Sequence, residues 1–399
     1  KNSSCKDSLS FVDPQFTHGD KAIFNIDPAR VYAIHYLLAS PGGGFGSSWG
    51  HSMIRIVMCA PSRTQVGPEC LKDVAFHFVL SFRAFAGTPE ISNWDGLTGA
   101  YNSRLFFLPF AQIINEYNVE QLRDLRSYPL TLSREEIKAF LERAIEVHWS
   151  YENKYYFLSN NCAVETMNLF KTGLQRRSLM NARIQTPMSV LSVLQKNNLI
   201  SNEINFSNLS QAKAQGYYFA SYEEGLKFAL DVIASYSQQK YSLLQWLNMT
   251  PLERRQLFTS KQPAKDQKRW AASFLYLERF LDKKITQIAY NTYMTTTADP
   301  TTEIGKQTQK YIESITKNIS GMEELTSPAS IAKIGYGIPA QGELDEVQKY
   351  LEQIQNQRMK NQANIDNLFQ QLLQLNKVDA DEIKLTRENI NIFTQALAH

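Results

Sequence analysis

The 399-residue chain is short of cysteine, histidine and charge imbalance: it has four cysteines, six histidines, and 42 basic against 39 acidic side chains. No two of Cys5, Cys59, Cys70 and Cys162 form a C-x-x-C pair. That excludes a disulfide-dense scaffold, zinc ribbons and thioredoxin-type redox centres. The H-E-x-x-H pattern is absent too, so neither a metal nor another cofactor is expected. A formal net charge of +3 is too weak for the basic field of a general nucleic-acid binder, and no nucleic-acid partner is expected. No apolar stretch reaches the ~18 residues of a membrane-spanning helix, and no repeat of roughly 20–50 residues marks a solenoid.

With 43% hydrophobic and 20% charged residues, the chain has the composition of a packed protein, and its length predicts two or three domains. It starts at Lys1 in a polar stretch, which reads as the exposed arm (residues 1–25) of an exported protein whose leader was removed. Short β-branched and aromatic runs follow. Ala33–Ala39, His51–Met58 and Val74–Phe85 are predicted strands, and Leu105–Phe110 is a further apolar run. Residues 41–50, Pro-Gly-Gly-Gly-Phe-Gly-Ser-Ser-Trp-Gly, join the first two strands. Ser133-Arg-Glu-Glu136 is a capping box that opens a helix to about Trp149. Ser159-Asn-Asn161 caps a second helix, from Cys162 to about Lys171, with Gly173 as its stop.

Near residue 200 the pattern turns helical. Tyr222–Leu247 and Pro251–Tyr293 carry apolar residues at spacings of three and four, and Pro263 interrupts the second. Leu344, Leu351, Arg358, Ile365 and Leu372 fall seven apart, as do Val347, Ile354, Asn361, Leu368 and Leu375. This is a heptad seam with one polar layer. Asp379 caps a further helix whose seam is Ile383, Ile390, Phe393 and Leu397. An antiparallel hairpin over 343–398 is predicted, either as core or as an arm for a protein partner.

One constellation has the makings of catalysis. His51 begins a strand after a glycine-rich loop, and Cys162 sits at a helix start, where the peptide dipoles favour a thiolate. An imidazole within reach would complete a Cys–His pair, and the helix-start amides, that of Cys162 included, would stabilise an oxyanion. Taken singly, a buried cysteine is more often a small hydrophobe than a nucleophile.

Gly50-His51-Ser-Met-Ile-Arg55-Ile resembles the G-H-x-x-(L/I)-R-(I/V) signature of the Lnb N-terminal periplasmic domain family. Gly99-Ala-Tyr101, then Glu116-Tyr, Arg123-Asp124 and Tyr128 through Glu136, and finally Tyr155-Tyr-Phe157 with Asn161-Cys162, are similar to that family's further motifs, in the same order over about residues 30–175. The resemblance implies a bacterial, periplasmic α+β protein: a circularly permuted papain-like antiparallel sheet with helices, similar to NlpC/P60 peptidases and lecithin:retinol acyltransferase. It would occupy residues 26–200, ahead of an all-α region, 201–399. By the same resemblance, Cys162 is the nucleophile and His51 the base. The activity implied is lipoprotein N-acyl transfer through a thioester, with a phospholipid as acyl donor, a lipoprotein N-terminus as acceptor and contact with a membrane surface. A cell-wall peptidase or amidase is the alternative enzyme, and a non-catalytic scaffold using the hairpin is the alternative outside enzymology.

The group that orients His51 is either His77 or Ser81, which share one face of a period-2 strand. Ser81 fits the family pattern, and His77 is the better imidazole partner and is slightly preferred. Trp49, Gly50, Phe45, Asn161 and Tyr101 are candidate substrate contacts. Phe107 and Phe110 would join Trp49 and Phe45 along an apolar slot, unless these aromatics are core. Cys59 and Cys70 close the connection after the His51 strand and are an expected disulfide, with Cys5 left over; a bridge from Cys5 to either stays open.

Overall fold

Strict alternation along the early runs puts successive side chains on opposite faces of a sheet that is covered on both sides. A computed structural model describes residues 9–13, 23–42, 49–85, 102–151, 153–156, 159–201, 204–263, 265–295, 306, 338–353, 356 and 377–398. The chain divides into two compact units, Lys1–Ser221 with Asn318–Asn356, and Tyr222–Lys317 with Gln357–His399.

In the first unit, β1 (Leu9–Val12) and β2 (Ile23–Ile26) form an antiparallel pair. The main sheet contains β3 (Val31–Ala39), β4 (His51–Met58), β5 (Phe78–Phe85), β6 (Asn102–Pro109), β7 (Leu125–Pro129), β8 (Asn153–Lys154) and β9 (Tyr218–Phe219). Its strand order is β8-β6-β5-β4-β3-β7-β9, and every pairing is antiparallel. The architecture is the expected α+β class, an antiparallel sheet first and helices after it.

Two layers cover the sheet. Tyr36, Leu38, Ile54, Ile56, Leu80 and Phe107 point into the larger core, together with residues of α2 (Arg134–Ser150) and α3 (Cys162–Leu174). On the other face Leu37, Met53, Val79 and Leu108 meet Phe110, Ile113 and Tyr117. Those three residues come from α1 (Phe110–Ile114) and the π-helical turn Asn115–Glu120 that continues it. The capping box at Ser133 forms as expected, with reciprocal bonds to Glu136.

The structure departs from expectation in three places. The start of the chain is not simply a polar arm: Phe11 and Val12 are fully buried, Phe11 stacks on Phe107 at 4.5 Å, and His148 accepts the Val12 amide hydrogen bond. The strand begins at Phe78 rather than Val74, because Val74–Phe76 form a 3₁₀ turn. Gly173 does not stop its helix. It lies inside α3, where a Cβ would come within 2.9 Å of Phe140, so it serves close packing, and the helix ends at Gln175 in the left-handed region (φ 50°).

The second unit is helical. It contains α4 (Tyr222–Ser237), α5 (Pro251–Ser260), α6 (Gln267–Thr295) and α7 (Lys377–Ala398), with a short helix Leu243–Asn248. Phe393 of α7 packs on Phe258 and Phe274. Arg254 and Glu278 form a fully buried ion pair at 2.8 Å, joined by Asn389 and Thr386 of α7. The seam residues Leu344, Val347 and Leu351 instead lie in the core of the first unit. The heptad positions from 357 to 375 lie outside the described residues.

Candidate active site

Cys162 occupies the first turn of α3 because Asn161 caps it: Asn161 Oδ1 accepts from the amides of Ala163 and Val164 at 3.0 and 3.2 Å. His51 is the first residue of β4. Ahead of it Gly50 has φ +87°, and a Cβ there would lie 2.7 Å from the Ala39 carbonyl oxygen, so only glycine fits this turn into the strand. The two candidates meet through the backbone. The Cys162 thiol lies beside the amide of Ser52, the residue after His51, and beside the Tyr155 hydroxyl, both of which favour its thiolate.

His51 Nε2 lies 3.1 Å from Ser81 Oγ. Sheet register explains the contact. β4 and β5 pair Ile54 with Leu80 and Arg55 with Val79. Continued, that register sets Met53 against Ser81 and His51 against Arg83, so His51 and Ser81 are diagonal neighbours on one face. Arg83 Nε donates to Ser81 Oγ at 3.1 Å, and Arg83 Nη1 pairs with Glu116 at 2.9 Å. The Tyr117 ring stacks on His51 at 5.9 Å, and the Arg123 guanidinium lies 5.0 Å from the centre of the Tyr117 ring.

His77, the slightly preferred orienting group, is elsewhere. Its Nδ1 accepts from Arg55 Nη2 at 2.8 Å, and its Nε2 bonds the Cys70 carbonyl at 2.9 Å. Arg55, in the His51 strand signature, is fully buried and also bonds Ser127 and the Gly216 carbonyl. Arg55 is four residues along β4 from His51, roughly 13 Å at strand rise, so a side chain held on Arg55 does not reach His51. Strand alternation gave His77 and Ser81 one face, and register separated them.

Other candidates also resolve. Cys59 and Cys70 form the disulfide and Cys162 is a free thiol; Cys5, Phe45 and Tyr101 lie outside the described residues. Asn161 caps the helix and donates to the Gln185 carbonyl. Phe107 and Phe110 are buried core on opposite faces of the sheet, not the lining of a slot. Trp49 is 59% exposed. Tyr155, in the aromatic motif, has no mark of a site residue in the sequence, because nothing local shows that its hydroxyl folds back onto Cys162.

Electrostatics correct a further expectation. The helix start was expected to favour the thiolate, but Cys162 is only 5% exposed, and burial pushes its pKa up despite the hydrogen bonds that oppose it. Burial, with the Arg83 and Arg123 charges, holds the His51 pKa well below the usual imidazole range. The resting pair is therefore neutral thiol and neutral imidazole. The oxyanion expectation shifts as well, since Asn161 already occupies the amides of Ala163 and Val164, and the Cys162 amide donates to the Tyr155 hydroxyl at 3.3 Å. Among the described residues no group of three or more His, Cys, Asp or Glu side chains could hold a metal, and no helix is long and apolar enough to cross a membrane.

No curated protein and no solved structure matches the chain. A family model does match, that of the Lnb N-terminal periplasmic domain, over residues 20–197. That span holds His51, Ser81, Tyr155 and Cys162 within one sheet-and-helix unit, and residues 20–197 of this chain are accordingly an Lnb N-terminal periplasmic domain, a domain of exported proteins.

Proposed function

We propose that this domain is a cysteine-dependent acyltransferase that takes an acyl chain from a phospholipid and passes it to the terminal amino group of a lipoprotein. The observation that carries the reading is a free thiol at a helix start beside Ser52, the chain neighbour of a histidine whose Nε2 lies 3.1 Å from the buried Ser81 hydroxyl. With Nε2 engaged by the Ser81 hydroxyl, Nδ1 is the ring nitrogen left to serve as base, in the tautomer that donates Nε2–H to Ser81.

The chemistry follows from the neutral pair. As Cys162 Sγ attacks the ester carbonyl, its proton passes to His51. The ester C–O bond breaks, and His51 returns that proton to the leaving lysophospholipid oxygen, which leaves a thioester. The acceptor amine then attacks the thioester, loses a proton to His51, and the departing thiolate takes that proton back. The Tyr155 hydroxyl beside the thiol is a hydrogen-bond donor for the oxyanion.

Two measurements test the reading. Alkylation of Cys162 followed across pH should show a midpoint above the ~8.5 of an ordinary thiol, and His51→Ala should slow the reaction at neutral pH. Intact-mass spectrometry after incubation with phospholipid should show an acyl adduct that Cys162→Ala abolishes. A thiol titrating at its ordinary value and indifferent to His51→Ala would remove the thiol-enzyme assignment. A reactive thiol that never acquires an acyl adduct would remove lipid acyl transfer and favour an amidase.

A further inference from the structure

Two arginines stand around the His51–Cys162 pair, and the acyl-transfer reading gives neither a task. Arg83 is tied to His51 through Ser81 Oγ, and Arg123 through the Tyr117 ring. Both charges act on Cys162.

Their charge is incompletely matched. Arg83 pairs with Glu116. The partners of Arg123 are all neutral: the Ser40 carbonyl at 2.5 Å, Gln121 Oε1 at 2.8 Å and the Tyr117 ring. Two guanidinium groups thus share one carboxylate. Each also keeps one buried nitrogen, Arg83 Nη2 and Arg123 Nη2, without a hydrogen-bond partner. Arg123 as a whole is only 5% exposed. An uncompensated buried cation with an idle donor is costly, and a native site that keeps one has a use for it.

We infer that Arg83 and Arg123 form an anion subsite beside the nucleophile, built for the singly charged phosphodiester of the acyl donor. One negative charge balances the excess, and the two idle nitrogens offer charge-assisted bonds to two phosphate oxygens, the geometry at which arginine excels. The phosphodiester of a glycerophospholipid lies a few bonds from its ester carbonyl, so anchoring it at the arginines holds that carbonyl near Cys162. The inference rests on the acyltransferase reading for the identity of the ligand, but the anion subsite can be tested without it.

Full-length protein is alkylated at Cys162 with iodoacetate and with iodoacetamide, reagents that differ by one negative charge, and adducts are counted by intact mass. The ratio of the two rates, referred to free cysteine, should favour iodoacetate. Arg83→Gln and Arg123→Gln should each lower that ratio by about tenfold or more, the worth of one charge-assisted bond, and Arg→Lys should restore part of it. Dibutyl phosphate, a soluble monoanionic phosphodiester, should protect unmutated protein at lower concentration than inorganic phosphate. That arm decides the matter even if a variant fails to fold. In the acyl arm a diacyl phospholipid should acylate Cys162 faster than diacylglycerol, and the Arg→Gln variants should erase the difference.

An unchanged alkylation ratio in both folded variants, with no protection by dibutyl phosphate, overturns the subsite. Stronger protection by inorganic phosphate than by the diester overturns its assignment to a lipid headgroup. A shifted ratio with no acyl adduct from any lipid upholds the anion subsite and removes the acyltransferase reading.

Discussion

Ser81→Ala deletes a single oxygen from a fully buried site, and its consequence can be worked from two distances. Ser81 Oγ lies 3.1 Å from His51 Nε2 and 3.1 Å from Arg83 Nε. Arg83 Nε can only donate, so the hydroxyl oxygen accepts there, and the same hydroxyl bonds His51 Nε2 as acceptor or donor according to the imidazole tautomer. Alanine removes both bonds. The imidazole then loses the bond that fixes its tautomer and ring angle, a loss of about 1–2 kcal/mol, which corresponds to a factor of roughly 5–30 in rate. Alkylation of Cys162 by iodoacetamide near neutral pH, referred to folded protein measured by circular dichroism, should slow by that factor. His77→Gln is the control. It disturbs the bonds to Arg55 and the Cys70 carbonyl, so it should cost about 1–3 kcal/mol of stability and leave the alkylation rate of folded molecules unchanged. A Ser81→Ala rate within twofold of the parent, or a folded His77→Gln protein slowed as much as Ser81→Ala, would refute the assignment of Ser81 as the positioning residue.

Three other outcomes follow from the same structure. Burial holds His77 and His148 neutral, with pKa values lowered to about 3 and about 4, whereas an unfolded histidine titrates near ~6.5. The unfolded chain therefore binds more protons below that value, so urea midpoints should be level above pH ~6.5 and fall as pH drops toward ~4; a level profile across that window would contradict neutral burial. Replacing Cys59 and Cys70 by serine opens a loop with a sequence separation of 11 and should cost about 2.8 kcal/mol by chain entropy, read as a lower urea midpoint that matches dithiothreitol treatment of the parent. In the second unit, Arg254→Met leaves the buried Glu278 carboxylate without its cation and should destabilise by about 3–5 kcal/mol. A loss under 1 kcal/mol in calorimetry would contradict a stabilising role for the buried pair.

Much of the site could be read from the chain, because its signals are local. The capping box at Ser133, the Asn161 cap ahead of Cys162 and the start of a strand at His51 each depend on a few neighbouring residues and elementary backbone chemistry. The Cys59–Cys70 pair is close in sequence and could be anticipated. Other features needed the assembled sheet. The opening residues looked polar, yet Phe11 and Val12 are core, since alternation in a four-residue strand is too short to distinguish from an arm. Gly173 looked like a helix stop because nothing local shows that Phe140 packs against it.

The heptad spacing shows the same division on a larger scale. A seven-residue period establishes an apolar stripe but not what covers it. Leu344, Val347 and Leu351 go into the core of the first unit, and Phe393 goes against Phe258 and Phe274 in the second.

By itself the amino-acid sequence determined the α+β class, the nucleophile candidate, its histidine and the family over the first half of the chain. These are set by residue type, period and motif order. The tertiary structure alone decided that Ser81 and not His77 touches His51, because strand register fixes which same-face neighbours meet. It alone turned the thiol pKa up and the imidazole pKa down, since burial is a property of the packed molecule. And it brought Arg83 and Arg123, 40 residues apart in the chain, to the same thiol.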